Sequence, residues 1–221
     1  MICYDYINNY IRDVIPKSVD ILKEMEEYAK DRHVPIVLPE VARFIIVVGM
    51  IKRPKRILEI GTAIGYSAIT MSQVLEEGGM IDTIEINDEM ATKARENIKR
   101  ANLDNKINVI LGDAREVLLD IDAKYDMLFI DAAKGQYFEF LEGARNKLND
   151  GAIIMSDNVL YKGMVASDEL VDKRKKTLIR KLREYAHSIC NDASMETAII
   201  PIGDGVALSF LKFARSGEDY L

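Results

Sequence analysis

From Arg56 onward the chain alternates short apolar runs with longer stretches of helical periodicity, and this alternation leaves few folds open. Arg56–Ile60 is an apolar strand, Gly61–Gly65 a turn, and Tyr66–Glu77 a helix that Gly78-Gly79 breaks. Met80–Ile86, Ile107–Leu111, Asp126–Ile130 and Ala152–Ser156 are the next strands. Helical patterns over Asp88–Ala101, Ala114–Asp120 and Gln136–Lys147 lie between them. A strand that must pass through a helix before the next one pairs in parallel, which puts helices on both faces of the sheet. The end differs. After a long helix over Asp168–Ile189, strands Glu196–Ile202 and Val206–Phe213 are joined only by Gly203-Asp204-Gly205, so they run antiparallel. The expected architecture is α/β, a seven-stranded, mostly parallel sheet ending in an antiparallel hairpin.

The first fifty residues read as helices that cover this sheet. Val14, Ile15, Ser18, Val19, Ile21, Leu22 and Met25 fall at helical spacing, in a pattern that ends before Pro35. A second helix follows Pro39, with Val41, Phe44, Ile45 and Val48 on its buried side. A length of 221 residues suits one domain, 1–221, in which 1–52 are the helical cover. With 30 basic and 36 acidic residues the net charge is −6, unlike a general nucleic-acid coat protein. Cys3 and Cys190 lack the short spacing of a zinc site or disulfide framework. The N-terminus has no signal-peptide core, and Phe44–Ile51 is too short to span a bilayer. A cytoplasmic location without a membrane partner is the expectation.

The run Ile57-Leu58-Glu59-Ile60-Gly61-Thr62-Ala63-Ile64-Gly65-Tyr66-Ser67 takes a strand through a glycine turn into a helix. Glycine lets the backbone approach a ligand closely, and the helix start offers free N–H groups. Gly61 and Gly65 are spaced G-x-x-x-G, which matches neither the dinucleotide fingerprint nor a P-loop. Glu85 ends the second strand, about twenty residues on, where a carboxylate can accept from both ribose hydroxyls. Asp113, after the third strand, can accept from an adenine amino group or cap the helix that follows. Together these point to a nucleoside.

Asp131 ends the fourth strand, and Asp157-Asn158 ends the fifth. Because the strands are parallel, all three side chains emerge at one edge. Two carboxylates and an amide oxygen are hard donors that suit Mg²⁺ or another divalent cation. Lys134, three residues after Asp131, is a candidate general base, since a nearby cation disfavours its ammonium form.

With Glu85, Asp113-Ala114, Asp131-Ala132-Ala133-Lys134 and Asp157-Asn158, the glycine run resembles the cation-dependent O-methyltransferases. These are the catechol and caffeoyl-CoA O-methyltransferases, of Rossmann-like class I fold. The resemblance implies S-adenosyl-L-methionine as cofactor, held by Val37, Gly61, Ala63, Tyr66, Ser67, Glu85, Asp113, Ala114 and Asp131. It implies metal ligation by Asp131, Asp157 and Asn158, a base at Lys134, and a homodimer. Arg32-His33-Val34-Pro35-Ile36-Val37 and the stretch from Asp157 to Val165 look most like a bacterial branch that methylates 5-hydroxyuridine at the tRNA wobble position.

Lys173-Arg174-Lys175-Lys176 opens the long helix, which continues with Arg180, Lys181 and Arg183. A solvated helix face explains this strip. A phosphate-contacting patch, extended by Lys162 and Arg32 and with Tyr161 stacking on a splayed base, explains it as well. The acceptor is therefore expected to be a tRNA anticodon loop, with a small catechol-like phenol as the alternative. A nicotinamide-dependent oxidoreductase and a non-catalytic RNA-binding protein remain more distant alternatives.

Overall fold

The computed structural model describes residues 2–213. Met1 and residues 214–221, part of the expected 1–221 domain, lie outside the described residues. Seven strands form one sheet: β1 (Arg56–Ile60), β2 (Met80–Glu85), β3 (Ile107–Leu111), β4 (Tyr125–Ile130), β5 (Leu148–Ser156), β6 (Met195–Ile200) and β7 (Val206–Leu211). Their order is β3-β2-β1-β4-β5-β7-β6. Pairing is parallel from β3 through to β5, and β7 runs antiparallel to both β5 and β6. The expected sheet is present in full. The strand order reverses between β1 and β4, and in such sheets the crevice beyond the strand ends at that point takes ligands.

Alternation along the strands builds two cores. Ile57, Met127 and Met155 face one side, packed with Val41 and Ile45 of α3 (Pro39–Lys52). Leu58, Leu128 and Ile154 face the other, packed with Tyr137 of α7 (Tyr137–Arg145) and Leu182 of α8 (Lys176–Cys190). Each such fully buried side chain contributes about 1.5–3 kcal/mol. Both faces of the central strands are therefore occupied, and only their ends are open for chemistry. The remaining helices are α1 (Asp5–Val14), α2 (Asp20–Arg32), α4 (Tyr66–Met71), α5 (Asp88–Arg100) and α6 (Ala114–Asp120). No described helix is long and apolar enough to cross a membrane.

Three helix expectations need correction. The pattern from Val14 to Met25 is not one helix. Pro16 has no amide hydrogen and holds Ile15 extended (φ −73°, ψ 148°), so α1 stops at Val14 and α2 starts at Asp20. The helix expected over Tyr66–Glu77 ends at Met71 and continues only as a 3₁₀ turn, Ser72–Val74. There the Ser72 hydroxyl donates back to the Ile69 carbonyl, a bond that competes with regular helix. The helix expected over Asp168–Ile189 is two 3₁₀ turns, Asp168–Leu170 and Lys173–Lys175, followed by α8. The Asp172 carboxylate accepts from the Arg174 amide and makes the turn that separates them. Lys173 and Arg174 thus sit on a turn, not on the helix face that would have carried a phosphate patch.

Helices α1 and α3 are tied by charge. Arg12 donates through Nε and a terminal nitrogen to both oxygens of Glu40, at 2.9 and 2.8 Å. The Glu40 side chain is 1% exposed, so this fork supplies its compensating charge at the start of α3. The start of α3 in turn carries Leu38, which lines the cavity described next.

Candidate active site

A cavity of about 620 Å³ opens at the C-terminal ends of the strands. On its β1–β2–β3 side it is lined by Val37, Gly61, Ala63, Tyr66, Ser67, Glu85, Asp113 and Ala114. On its β4–β5 side it is lined by Asp131, Lys134, Asp157 and Asn158, with Lys162 at the rim. Every residue expected to hold the cofactor or metal therefore lines one cavity. Arg32, Tyr161, Lys173 and Arg174 are not among its lining residues. Arg32, Lys173 and Arg174 are exposed, and Tyr161 carries the Lys175 ammonium 5.9 Å from its ring centroid.

The glycine turn works by close approach. Gly61 has φ +101°, and a Cβ there would lie 2.1 Å from the Asp131 carbonyl oxygen. Only glycine lets β1 and β4 open side by side at this point. Glu85 is locked by the same turn: the Ala63 amide donates to one oxygen at 2.8 Å and the Asn87 amide to the other at 2.9 Å. Each oxygen keeps a second lone pair for a ligand hydroxyl. Asp113 makes the helix cap foreseen for it. It caps α6 through the Arg115 amide and also lines the cavity. The Arg115 guanidinium pairs with it and holds its carboxyl down at about 2.

Beneath the turn lies a residue that pattern reading missed. Glu59 is fully buried in β1, between apolar Leu58 and Ile60. The Thr83 hydroxyl, itself bonded to Thr62 at 2.6 Å, donates to Glu59 Oε2 at 2.5 Å. Oε1 has no hydrogen-bond partner. Burial pushes this carboxyl up to about 8; the Ser67 and Thr83 hydroxyls oppose the shift, and the charges of Asp131 and Glu85 add to it. An unpaired buried carboxylate oxygen is costly, and a cationic ligand group would relieve it. A charged residue inside a strand buried on both faces was the available signal.

The β4–β5 side is richer in acid. Lys134 Nζ lies 3.3 Å from Asp131 Oδ1. Asp157 is buried, and desolvation together with the nearby Asp131 charge raises its pKa well above the usual carboxylate range. The Tyr137 hydroxyl donates to the Asp157 carbonyl at 2.9 Å, while the Asn158 amide donates to the Asp157 carboxylate at 2.6 Å. Among the described residues, no three His, Cys, Asp or Glu side chains converge as a metal cluster. The donor set here is two carboxylates and one amide. A buried carboxylate, Asp157, beside the partly exposed Asp131 fits a divalent cation, because added positive charge removes the repulsion that raises Asp157.

The family model for O-methyltransferases matches residues 15–212. The chain belongs to the O-methyltransferase family. This O-methyltransferase is 27% identical to the catechol O-methyltransferase of Niastella koreensis over 95% of its own length and 98% of that protein. It is 29% identical to the caffeoyl-CoA O-methyltransferase of Stellaria longipes, over 91% and 88%. Among solved structures, the Bacillus cereus O-methyltransferase in complex with SAH is 27% identical, with a TM-score of 0.83 over 94% and 97% of the two chains.

Proposed function

We propose that this O-methyltransferase transfers a methyl group from S-adenosylmethionine to one of two neighbouring oxygens on a flat aromatic acceptor, with the help of a divalent cation. The observation that carries the proposal is the meeting of two acid sites in one cavity: Glu85 and Asp113 at the ends of β2 and β3, Asp131 and Asp157 at the ends of β4 and β5. The Niastella and Bacillus relatives support it, one by its name and the other by its bound SAH.

S-adenosylmethionine would supply the methyl group on a positively charged sulfur. Glu59, beneath the turn, would compensate the ammonium of its amino-acid end, Glu85 would accept from the ribose hydroxyls, and Asp113 would accept from the adenine amino group. Asp131, Asp157 and Asn158 would hold the cation, Mg²⁺ or a similar ion, which would polarise the acceptor oxygen as a Lewis acid. Lys134 Nζ, in its neutral amine form, would take the hydroxyl proton and become the ammonium. The cavity walls hold donor and acceptor in line, an effect that can contribute on the order of 7–11 kcal/mol.

The favoured acceptor is a small catechol-like phenol. The names of the Niastella and Stellaria relatives support it, and it needs none of the exposed basic residues that lie outside the cavity lining. A second reading, 5-hydroxyuridine in a tRNA anticodon loop, draws support from Lys162 at the rim and Lys175 over Tyr161. The test is methyl transfer to a catechol and to tRNA carrying unmethylated 5-hydroxyuridine, with and without chelator. The expected result is methylated catechol, lost on chelation and restored by Mg²⁺. Transfer to the tRNA alone, falling steeply with salt, would select the second reading. Transfer that survives chelation would remove the cation.

Lys134→Ala is expected to lower kcat about 10²-fold or more with little change in cofactor affinity. Its residual rate should rise with pH as the acceptor ionises in solution. An unchanged rate and pH profile, measured by methyl-transfer assay, would remove the base role.

A further inference from the structure

The Gly203-Asp204-Gly205 link does more than join β6 to β7. It is wedged between both walls of the cavity. Gly203 has φ +59°, and a Cβ there would lie 2.6 Å from Val41 Cγ2 on α3. Gly205 has φ +89°, and a Cβ there would lie 2.5 Å from Leu160 Cγ. The link therefore touches the helix behind the cofactor side and the segment 158–163 on the acceptor side.

That segment is held in an unfavourable backbone shape. Asn158, Tyr161 and Lys162 have φ of 56°, 41° and 57°, and Gly163 follows at 79°. Three non-glycine residues in the left-handed region within five positions need support from outside. The link provides it. The Val159 amide donates to the Gly205 carbonyl at 2.9 Å, and the Leu160 amide to the Asp204 carbonyl at 3.1 Å. The Lys162 amide donates to Asp204 Oδ1 at 2.6 Å. This last bond alone among the three is made by a side chain, and it falls on the most twisted stretch. Asp204 also lines the cavity.

We infer that Asp204 is a positioning residue whose carboxylate oxygen holds the Lys162 amide, and so fixes Asn158 and the cavity rim in the shape that the cation and acceptor require. The inference rests on the reading above that Asn158 is a cation ligand. In this role Asp204 acts through the backbone of segment 158–163 and not as a ligand of the cation.

The test compares wild type with Asp204→Ala, Asp204→Ser and Asp204→Asn. Ala deletes the acceptor, Ser is too short to reach, and Asn keeps an oxygen without the charge. Amide hydrogen exchange at Lys162 is read on the metal-free protein. Mn²⁺ affinity is read by electron paramagnetic resonance, and S-adenosylmethionine affinity by calorimetry. For Ala and Ser the expected result is faster exchange at Lys162 and Mn²⁺ binding weakened about 10–100-fold, the usual cost of losing an outer partner of a ligand. Cofactor affinity should stay within about twofold of wild type, and Asn should restore both altered readouts. Unchanged exchange at Lys162 in Ala and Ser would overturn the inference, and so would an Asn variant as impaired as Ala, since charge would then be the active property. Equal losses in Mn²⁺ and cofactor binding would also overturn it by showing general damage. If wild type itself binds no Mn²⁺, the cation reading fails, while exchange at Lys162 still decides what Asp204 holds.

Discussion

Asp157→Ala is expected to abolish most methyl transfer while making the ligand-free protein more stable. In the free enzyme the Asp157 carboxylate is buried beside Asp131, with Lys134 as the facing cation. Removing it deletes a desolvated charge and the repulsion on Asp131, which benefits the fold. The same change leaves Asp131 and Asn158 as the remaining ligands, too few to hold a divalent cation tightly. A Lewis acid contributes several kcal/mol to the transition state, and each 1.36 kcal/mol is tenfold in rate, so kcat/KM should fall about 10³-fold. Cofactor affinity should change little, because Asp157 lies on the β4–β5 side of the cavity and Glu85 on the β1–β2–β3 side. Methyl-transfer kinetics, calorimetry and a thermal melt read the three quantities. An Asp157→Ala enzyme with near-normal kcat/KM would refute the cation's role. A lowered melting temperature would show that Asp157 stabilises the free protein after all.

Much of this arrangement was legible because parallel strands do simple things. A period of two along β1 sends Ile57 and Leu58 into opposite cores, and successive crossovers bring every strand's C-terminal end to one edge. Glu85, Asp113, Asp131 and Asp157 could be placed together from that rule alone, and all four line the cavity. Helix ends were less legible, because spacing of apolar residues outvoted local stops. Val14 and Val19 continue a helical pattern across Pro16 but are exposed once Pro16 ends α1. Lys173 and Arg174 read as the opening of a helix because an Asx turn at Asp172 has no apolar period to betray it. Asp204 looked like hairpin punctuation. Its bond to the Lys162 amide joins positions 42 residues apart in the chain, which no local pattern records.

Glu59 shows the opposite failure, a strong signal read as strand filler. Glu59→Gln is expected to shift stability and cofactor binding in opposite directions. The folded-state pKa of Glu59 is raised from 4.5 to about 8 by burial. A carboxyl raised on folding stays protonated in the native protein at pH values where the unfolded chain has already released its proton. Native protein then binds more protons than unfolded, so stability falls as pH rises. The loss begins near the unfolded value of 4.5 and is complete only above about 8. Glutamine carries no titrating proton, so the variant's melting temperature should fall less than that of wild type across that window, keeping only the share due to groups such as Asp157, and exceed wild type at pH 8 without cofactor. Binding reverses the sign. The orphan Oε1 is the natural partner for the ammonium of S-adenosylmethionine, and a charged hydrogen bond in a dry site is worth about 1.5–3 kcal/mol. Glu59→Gln should therefore weaken cofactor affinity about 10–100-fold at pH 8, and wild-type binding should release less proton to buffer as pH rises past the Glu59 transition. Calorimetry in buffers of different ionisation enthalpy, with melts at several pH values, measures both halves. A variant that loses stability at pH 8, or that binds cofactor as wild type does, would show that Glu59 serves the fold and not the ligand.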